Sequence, residues 1–211
     1  MLFRLPVDVL LLLIPTLLFA LVFHEFSHAY MAYRLGDRTA AFQGRLTLNP
    51  LAHLDPFGSL MILFVGFGWA KPVPVDVRNL HNPRTDMMLV AFAGPAANLV
   101  LGLIGGILLR FFGDAGFLNN TMGLMLYFFV RINITLAVFN MIPLPPLDGS
   151  QIFSGLMMRK NPQLVMNLQM YGPKILFGAI LLGYFFHVPV LWWVMKPFVN
   201  LFMYVFTGMS A

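Results

Sequence analysis

The stretch VLLLLIPTLLFALVFHEFSHAYMAY, residues 9–33, carries most of the information about the fold of this chain. It is long enough to cross a bilayer, because a spanning helix needs about 20 predominantly apolar residues. Within it, however, lie His24, Glu25 and His28, in the pattern H-E-F-S-H. The stretch therefore predicts a membrane helix that carries ionisable side chains.

The remainder of the chain has the composition of a membrane protein. Of its 211 residues, 59% are hydrophobic and only 10% are charged, whereas an average soluble domain has about 25% charged residues. Residues 87–109 and 175–195 carry no charge, and Arg131 alone interrupts residues 115–147. A soluble fold of this size could not cover so much apolar surface. The lipid bilayer is therefore the expected environment.

We predict an all-α multi-pass membrane protein that forms one integral domain over residues 1–211. Its functional core is expected at about residues 9–155 and its C-terminal helices at about residues 168–207. About five transmembrane helices are predicted, at roughly residues 9–33, 87–111, 117–139, 168–186 and 189–206. The last of these segments is compatible with either a spanning or an interfacial position.

Two segments between the first and second spans are predicted not to cross. Residues 57–69 are apolar but short and rich in glycine, which favours a re-entrant segment. Residues 38–59 mix strand-forming and turn residues, which favours a small membrane-associated β-hairpin or an irregular loop. The basic residues around these segments then share one side of the membrane: Arg34, Arg38, Arg45, Lys71, Arg78 and Arg84. The positive-inside rule makes that side cytoplasmic and places the N-terminus outside.

The charge and the cysteine count exclude several classes of function. The net charge is +5, but the 13 Lys and Arg residues form no dense run and no basic helix face. No nucleic-acid partner is therefore expected. The absence of cysteine excludes disulfides and thiolate metal ligands.

The pattern H-E-F-S-H is typical of a metal site. Two histidines four residues apart lie on one face of a helix, about 6 Å apart along its axis, which suits them to bind one zinc ion. Glu25 between them is placed to take a proton from a water molecule. It is the only glutamate in the chain, and an ionisable group at the bilayer centre costs about 2.5–3.5 kcal/mol unless it has a partner. The competing interpretation is a pair of histidines hydrogen-bonded within a helix bundle.

Asp148 is the candidate third ligand. A catalytic zinc site usually has three protein ligands and one open position. Asp148 follows NMIPLPP, residues 140–146, whose three prolines forbid a regular helix. Irregular backbone at membrane depth is tolerated only where protein or a water-filled cavity surrounds it, so this break marks a site. The alternative is a proline turn with a solvated aspartate.

Together these motifs resemble the site-2 protease family of intramembrane zinc metalloproteases. The matching elements are HEFSH at 24–28, NMIPLPPLDG at 140–149, LTLNPLAHLDPFGS at 46–59, GWAKPVPV at 68–75 and AGPAANL at 93–99. The resemblance covers most of residues 20–155. It implies one zinc ion per chain, held by His24, His28 and Asp148, with Glu25 as the general base.

The resemblance also implies roles for other polar residues. Asn98 and Asn140 are candidates for holding the substrate backbone or an oxyanion, because amide side chains donate hydrogen bonds without adding a charge. Interhelical hydrogen bonding is the alternative for both. His53 and Asp55 are candidates for lining the entrance of the site, although such a pair more often shapes a turn.

The implied substrate is a transmembrane protein, such as an anti-sigma factor or another membrane-bound regulator, cut within the membrane of the cell. His24 lies about 22 Å along its span, which places the site nearer the cytoplasmic face. A short form of the family without PDZ-like or CBS-like domains is expected. A metal-ion transporter or channel is the competing function, and it predicts polar residues spread along several helices.

Overall fold

The computed structural model describes residues 6–65, 68–112 and 120–209, which form helices joined by short connections. The helices are α1 (Val7–Arg34), α2 (Thr39–Phe42), α3 (Pro50–His53), α4 (Pro56–Val65), α5 (Pro83–Phe112), α6 (Thr121–Asn140), α7 (Asp148–Met157), α8 (Pro162–Phe186) and α9 (Val190–Thr207). Five of them, α1, α5, α6, α8 and α9, are long and apolar enough to cross a membrane. The predicted helical, multi-pass class is confirmed.

The β-hairpin predicted over residues 38–59 is not confirmed. Within the described ranges no strand forms, and this region instead contains α2, α3 and turns, with one antiparallel bridge between Leu54 and Ala70. The local reason is a helix start: the Asn49 side chain accepts a hydrogen bond from the Leu51 N–H at 3.1 Å, and Pro50 occupies the first helical position. An asparagine cap followed by proline favours a helical turn over strand pairing.

The predicted re-entrant segment coincides largely with α4. This helix has 10 residues, so it is about 15 Å long and too short for a hydrocarbon core of about 30 Å. Residues 66 and 67 lie outside the described ranges, and the path of the segment through the membrane stays a prediction.

Helices α1, α5 and α6 form the packed centre of the molecule. Small residues on α5 allow α6 to approach closely, as is typical of membrane bundles. A Cβ atom at Gly105 would lie 2.8 Å from Val130, and one at Gly102 would lie 3.2 Å from Ile134. Val130 and Ile134 are themselves fully buried. The glycines therefore set the distance between the two helices.

Helix α9 runs in the same direction as α5. Its first half shares a cavity wall with Phe92 and Leu99 of α5, whereas its last turns contact the other end of that helix. A Cβ atom at Gly106 would lie 2.7 Å from the Phe206 side chain, and Arg110 donates a hydrogen bond to the Tyr204 carbonyl at 3.4 Å. The last predicted segment, for which the sequence allowed either a spanning or an interfacial position, thus packs against α5.

Helix α8 connects α7 to α9. The helix begins after α7, whose residue Gly155 accepts a hydrogen bond from Arg84 near the start of α5. It ends at Phe186, and residues 187–189 connect it to α9. Its 25 residues extend about 37 Å. It is one of the five helices long and apolar enough to cross a membrane, as predicted for residues 168–186.

Candidate metal centre

Three side chains from two distant parts of the chain meet beside α5. His24 and His28 project from successive turns of α1, and their Nε2 atoms lie 3.1 Å apart. Asp148, the first residue of α7, places its Oδ2 atom 3.1 Å from His24 Nε2 and 3.3 Å from His28 Nε2. The prolines after α6 end that helix, and the chain re-enters a helix only at Asp148. The three candidate ligands are thus brought together.

The hydrogen bonds around these side chains suit a cation. His24 Nδ1 lies 2.6 Å from Asn98 Oδ1 and His28 Nδ1 lies 2.7 Å from the Val90 carbonyl oxygen. Since these oxygens accept, each Nδ1 carries a proton, and in the neutral ring each Nε2 then has a lone pair directed toward the other. The Oδ2 atom of Asp148 is buried without a hydrogen-bond partner. Three electron-rich atoms facing one another repel unless a proton or a metal cation lies among them.

The spacing of the three atoms fits zinc. Zinc bonds of about 2.0–2.2 Å at tetrahedral angles place neighbouring ligand atoms about 3.3–3.6 Å apart. The observed separations are 3.1, 3.1 and 3.3 Å. Two imidazoles and one carboxylate are also a donor set used by catalytic zinc sites with an open fourth position. Both the chemistry and the geometry of His24, His28 and Asp148 therefore fit the metal.

Gly94 makes room for this centre. A Cβ atom at this position would overlap His28 Nε2 and would lie 2.6 Å from His28 Cε1 and 2.7 Å from His24 Cε1. Only a residue without a side chain lets α5 pass so close to both rings. Sequence reasoning quoted this glycine within AGPAANL but gave it no role, because its neighbours come from another helix.

A cavity of about 480 Å³ opens beside the centre. Glu25 and Asn140 line it together with His24, His28 and Asp148. Most of the other walls are apolar and come from residues 68–75, from α6 and from α8, including Trp69, Val73, Leu136, Leu176 and Phe177. The cavity thus combines the candidate metal centre and a carboxylate with walls suited to an apolar substrate.

The two candidate asparagines have different positions. Asn140 is half-buried, lines the cavity and donates a hydrogen bond to the Leu136 carbonyl at 3.0 Å. Its substrate contact stays a prediction. Asn98 is 0% exposed and does not line the cavity. Its oxygen faces His24, and its nitrogen donates to Ala20 O and to Asn133 Oδ1. With every side-chain polar group paired inside the protein, Asn98 is placed to orient His24, and its predicted substrate contact stays a prediction.

His53 and Asp55 do not line the cavity either. His53 is buried, and its Nε2 lies 2.7 Å from the Thr47 carbonyl oxygen. Asp55 accepts a hydrogen bond from the Gly58 N–H at 2.6 Å, at the start of α4. These contacts match the alternative, in which the pair shapes the turns of this loop, and the entrance role stays a prediction.

Sequence reasoning missed two buried polar residues near the site. Asn133 is 0% exposed and contacts Asn98. Arg45 is 5% exposed and donates a hydrogen bond to the Lys71 carbonyl at 2.5 Å, which anchors the wall segment 68–75. A polar amide in the middle of the third span was the available signal for Asn133. Nothing in the pattern around Arg45 separated it from the other basic residues of its loop.

Arg131, which had no predicted role, faces protein. Its guanidinium donates a hydrogen bond to the Tyr127 hydroxyl at 2.8 Å and lies 5.9 Å from the centre of the Trp192 ring. A cation over an aromatic face is stabilised by the ring quadrupole. The charge is thereby accommodated within the α6 and α9 interface, as expected for an ionisable residue in a span.

Spanning-length helices and a buried cluster of two histidines and an aspartate are the features expected of a membrane-embedded zinc metalloprotease. The profile of peptidase family M50 matches residues 114–180. A candidate zinc metalloprotease of Bacillus subtilis, YwhC, is 45% identical over 156 residues, which are 72% of this chain and 71% of that protein. The chain belongs to family M50, the site-2 protease family, and is a zinc metalloprotease.

More distant relatives carry the same description. Rip2 of Mycolicibacterium smegmatis, also a candidate zinc metalloprotease, is 36% identical over 148 residues, which are 68% of this chain and 56% of that protein. The protein MJ0611 of Methanocaldococcus jannaschii is 28% identical over 134 residues, which are 62% of this chain and 63% of that protein. The chain thus spans little more than half the length of Rip2. No solved structure shows a significant match.

Proposed function

We propose that this protein hydrolyses peptide bonds within or near the transmembrane helices of other proteins. In this proposal His24, His28 and Asp148 hold one zinc ion, and Glu25 is the general base. The observation that carries the proposal is the convergence of three ligand atoms within 3.3 Å of one another, beside a cavity that the only glutamate also lines.

The side chains around the cavity have separable tasks. When bound, zinc acts as a Lewis acid that makes a water molecule more acidic and polarises a carbonyl group. Glu25 accepts the proton of the attacking water and returns it to the leaving amine. Asn140 donates a hydrogen bond to a substrate oxygen without adding charge. Asn98 holds His24 in place from outside the cavity.

The wall segment, residues 68–75, supports a particular way of holding substrate. Lys71 uses its N–H to bond the His53 carbonyl at 2.8 Å, so the segment is tied to the neighbouring loop along one edge. It also lines the cavity. A substrate helix that unwinds locally would pair its backbone with the other edge, which supplies hydrogen bonds with little demand on sequence. Suitable substrates are transmembrane regulators, anti-sigma factors among them, processed by regulated intramembrane proteolysis.

We place the N-terminus outside the cell and the metal centre nearer the cytoplasm. The basic residues flanking α1 and α5 support this orientation through the positive-inside rule. Because α9 parallels α5, the C-terminal Gly208 then lies on the outer side, while Lys160 lies on the inner side. The chain contains no cysteine, so Gly208→Cys and Lys160→Cys each create a unique thiol. An impermeant maleimide added to intact cells should label only the first, and the reverse pattern would overturn the orientation.

Replacement of Glu25 by glutamine tests the catalytic proposal. Glu25→Gln should retain one zinc per chain but lose cleavage of a reconstituted transmembrane substrate, because the amide cannot accept the proton. Asp76→Asn, the same chemical change on the loop before α5, is the control and should cleave normally. Full activity of Glu25→Gln would disprove its role. Zinc flux into liposomes without any proteolysis by the unaltered protein would favour the transporter instead.

A further inference from the structure

We propose that Asn133 is a positioning residue for the metal centre: through Asn98, and together with the Ala20 carbonyl, it fixes which nitrogen of His24 is available to a metal ion. This inference rests on the proposed function, since it concerns a histidine that is assigned there as a zinc ligand. Asn133 itself contacts neither His24 nor the cavity.

A chain of hydrogen bonds leads from α6 to the metal centre. Asn133 Nδ2 donates to the Phe129 carbonyl oxygen at 2.9 Å. Asn133 Oδ1 accepts from Asn98 Nδ2 at 2.8 Å, and Asn98 Oδ1 lies 2.6 Å from His24 Nδ1. Both asparagines are 0% exposed, so water does not compete for these groups.

These hydrogen bonds can be directed in only one way, because the nitrogens of both asparagine side chains are held by main-chain carbonyl oxygens. A carbonyl oxygen accepts hydrogen bonds and cannot donate them. Phe129 O therefore requires the nitrogen of Asn133, which leaves the Asn133 oxygen toward Asn98. Ala20 O, 3.1 Å from Asn98 Nδ2, requires a nitrogen there as well. Asn98 thus uses both amide hydrogens on Asn133 and Ala20.

The consequence appears at His24. With its nitrogen engaged elsewhere, Asn98 presents only its oxygen to the ring, so His24 Nδ1 must carry the proton. The neutral imidazole then has its lone pair on Nε2, the atom that faces His28 and Asp148. If Asn98 were turned around, Nδ1 would accept and Nε2 would hold the proton, which blocks metal binding there. Asn133 presents only its oxygen to Asn98, so in the reversed orientation the Asn98 oxygen would find no hydrogen-bond donor there.

An ordinary interhelical hydrogen bond between α5 and α6 would explain the contact and would predict no effect on metal binding. The two readings therefore differ in zinc affinity, which we would measure in purified protein by competition with a fluorescent chelator. The Glu25→Gln background removes activity from the measurement. Asn133→Leu should weaken zinc binding about tenfold, the lower end of the effects seen when residues behind a ligand are changed. Unchanged affinity would overturn the inference.

Two further variants separate positioning from packing. Ile134→Ala is the matched control, because Ile134 is also fully buried on α6 and packs against α5 but lies outside the amide chain. It should lower the melting temperature while leaving zinc affinity within about twofold. Asn133→Asp should restore most of the affinity lost in Asn133→Leu, since a buried neutral carboxyl group donates to Phe129 O and accepts from Asn98. Equal losses in all three variants would show a structural effect only.

A double variant completes the test. If Asn133 acts through Asn98, Asn98→Leu combined with Asn133→Leu should bind zinc as weakly as Asn98→Leu alone. Additive losses of zinc affinity in the double variant would show that Asn133 does not act through Asn98. A zinc content in His24→Ala equal to that of the parent protein would instead refute the proposed ligand set. Failure of this inference can therefore be distinguished from failure of the proposed function.

Discussion

The metal centre and α8 represent two opposite ways of using a membrane-length helix. Around the centre, Gly94 is confined by the rings of His24 and His28, whereas a Cβ atom at Gly178 of α8 would meet nothing within 4 Å. The Nδ1 atoms of His24 and His28 are held by hydrogen bonds within the protein, while α8 exposes large apolar side chains, including Phe177 and Phe186. The centre therefore constrains individual residues. Much of α8 needs only to be apolar and helical.

The largest effect on zinc binding is expected from a substitution at the metal centre itself, at Asp148. Asp148→Ala removes one of three proposed ligands and leaves the two imidazole lone pairs facing each other. Since changes behind a ligand cost about 10- to 100-fold in metal affinity, loss of the ligand itself should cost more than about 100-fold and abolish proteolysis. Zinc analysis after dialysis against a weak chelator measures it. Near-normal zinc content in Asp148→Ala would exclude the aspartate as a ligand.

Gly94→Ala tests whether space alone protects the centre. The added methyl group must displace the rings of His28 and His24, so we expect zinc affinity to fall about 10- to 100-fold and cleavage to fall with it. Chelator competition and a proteolysis assay check both effects. An alanine variant that binds zinc as tightly as the parent would show that α5 can move away at little cost.

A smaller effect is expected in the loop after α1, where Asp37 is buried. It accepts hydrogen bonds from Thr39, Asp76 and Asn79. Burial raises the pKa of Asp37, but these hydrogen bonds outweigh it and hold the pKa below its usual range. A depressed folded-state pKa stabilises the protein above the unfolded value of about 3.9, and this stability is lost as the pH falls through the folded value.

Asp37→Asn should accordingly lower stability at neutral pH, by about 1.5–3 kcal/mol if the charged hydrogen bonds have typical strength. The deficit should shrink as the pH is lowered below about 4, because the parent then loses the same charge. Thermal unfolding in detergent between pH 7 and pH 2.5 measures the difference. A deficit that stays constant over this range would rule out the ionised carboxylate as its source.

The smallest effect is expected for Gly178→Ala, the counterpart of Gly94→Ala. The space around Gly178 is open, and alanine favours a helix over glycine by about 1 kcal/mol. The variant should be slightly more stable and should bind zinc normally. Thermal unfolding and zinc analysis test it. A large loss of zinc in Gly178→Ala would mean that this part of α8 helps to form the metal centre. The contrast between the two regions would then be wrong.

The centre itself was largely predictable from sequence, for a physical reason. His24, Glu25 and His28 are costly in lipid, and Asp148 follows a break that lipid does not tolerate, so each stood out against its surroundings. Their convergence follows from the need of each for a partner. The neutral residues that support them were not predictable. Asn133 and Gly94 acquire meaning only from side chains that reach them from other helices.

The fold was predictable to the level of its helices but not of their paths. Apolar length identified the segments that became α1, α5, α6, α8 and α9. The direction of α9 depends on where Phe206 contacts α5, and no periodicity along one helix reports such a contact. The predicted hairpin failed at Asn49-Pro50, where a local helix start opposed the strand-forming residues around it.

The presence of Glu25 and Asp148 in the same cavity has an electrostatic consequence. With neutral imidazoles, the two carboxylates balance the charge of a divalent ion, so the filled centre carries no formal charge. A neutral assembly avoids much of the solvation penalty that an apolar medium imposes on isolated ions. A monovalent or trivalent occupant would leave an uncompensated charge at membrane depth. In the proposed centre, charge balance would therefore favour a divalent ion, in addition to the geometry of the ligand set.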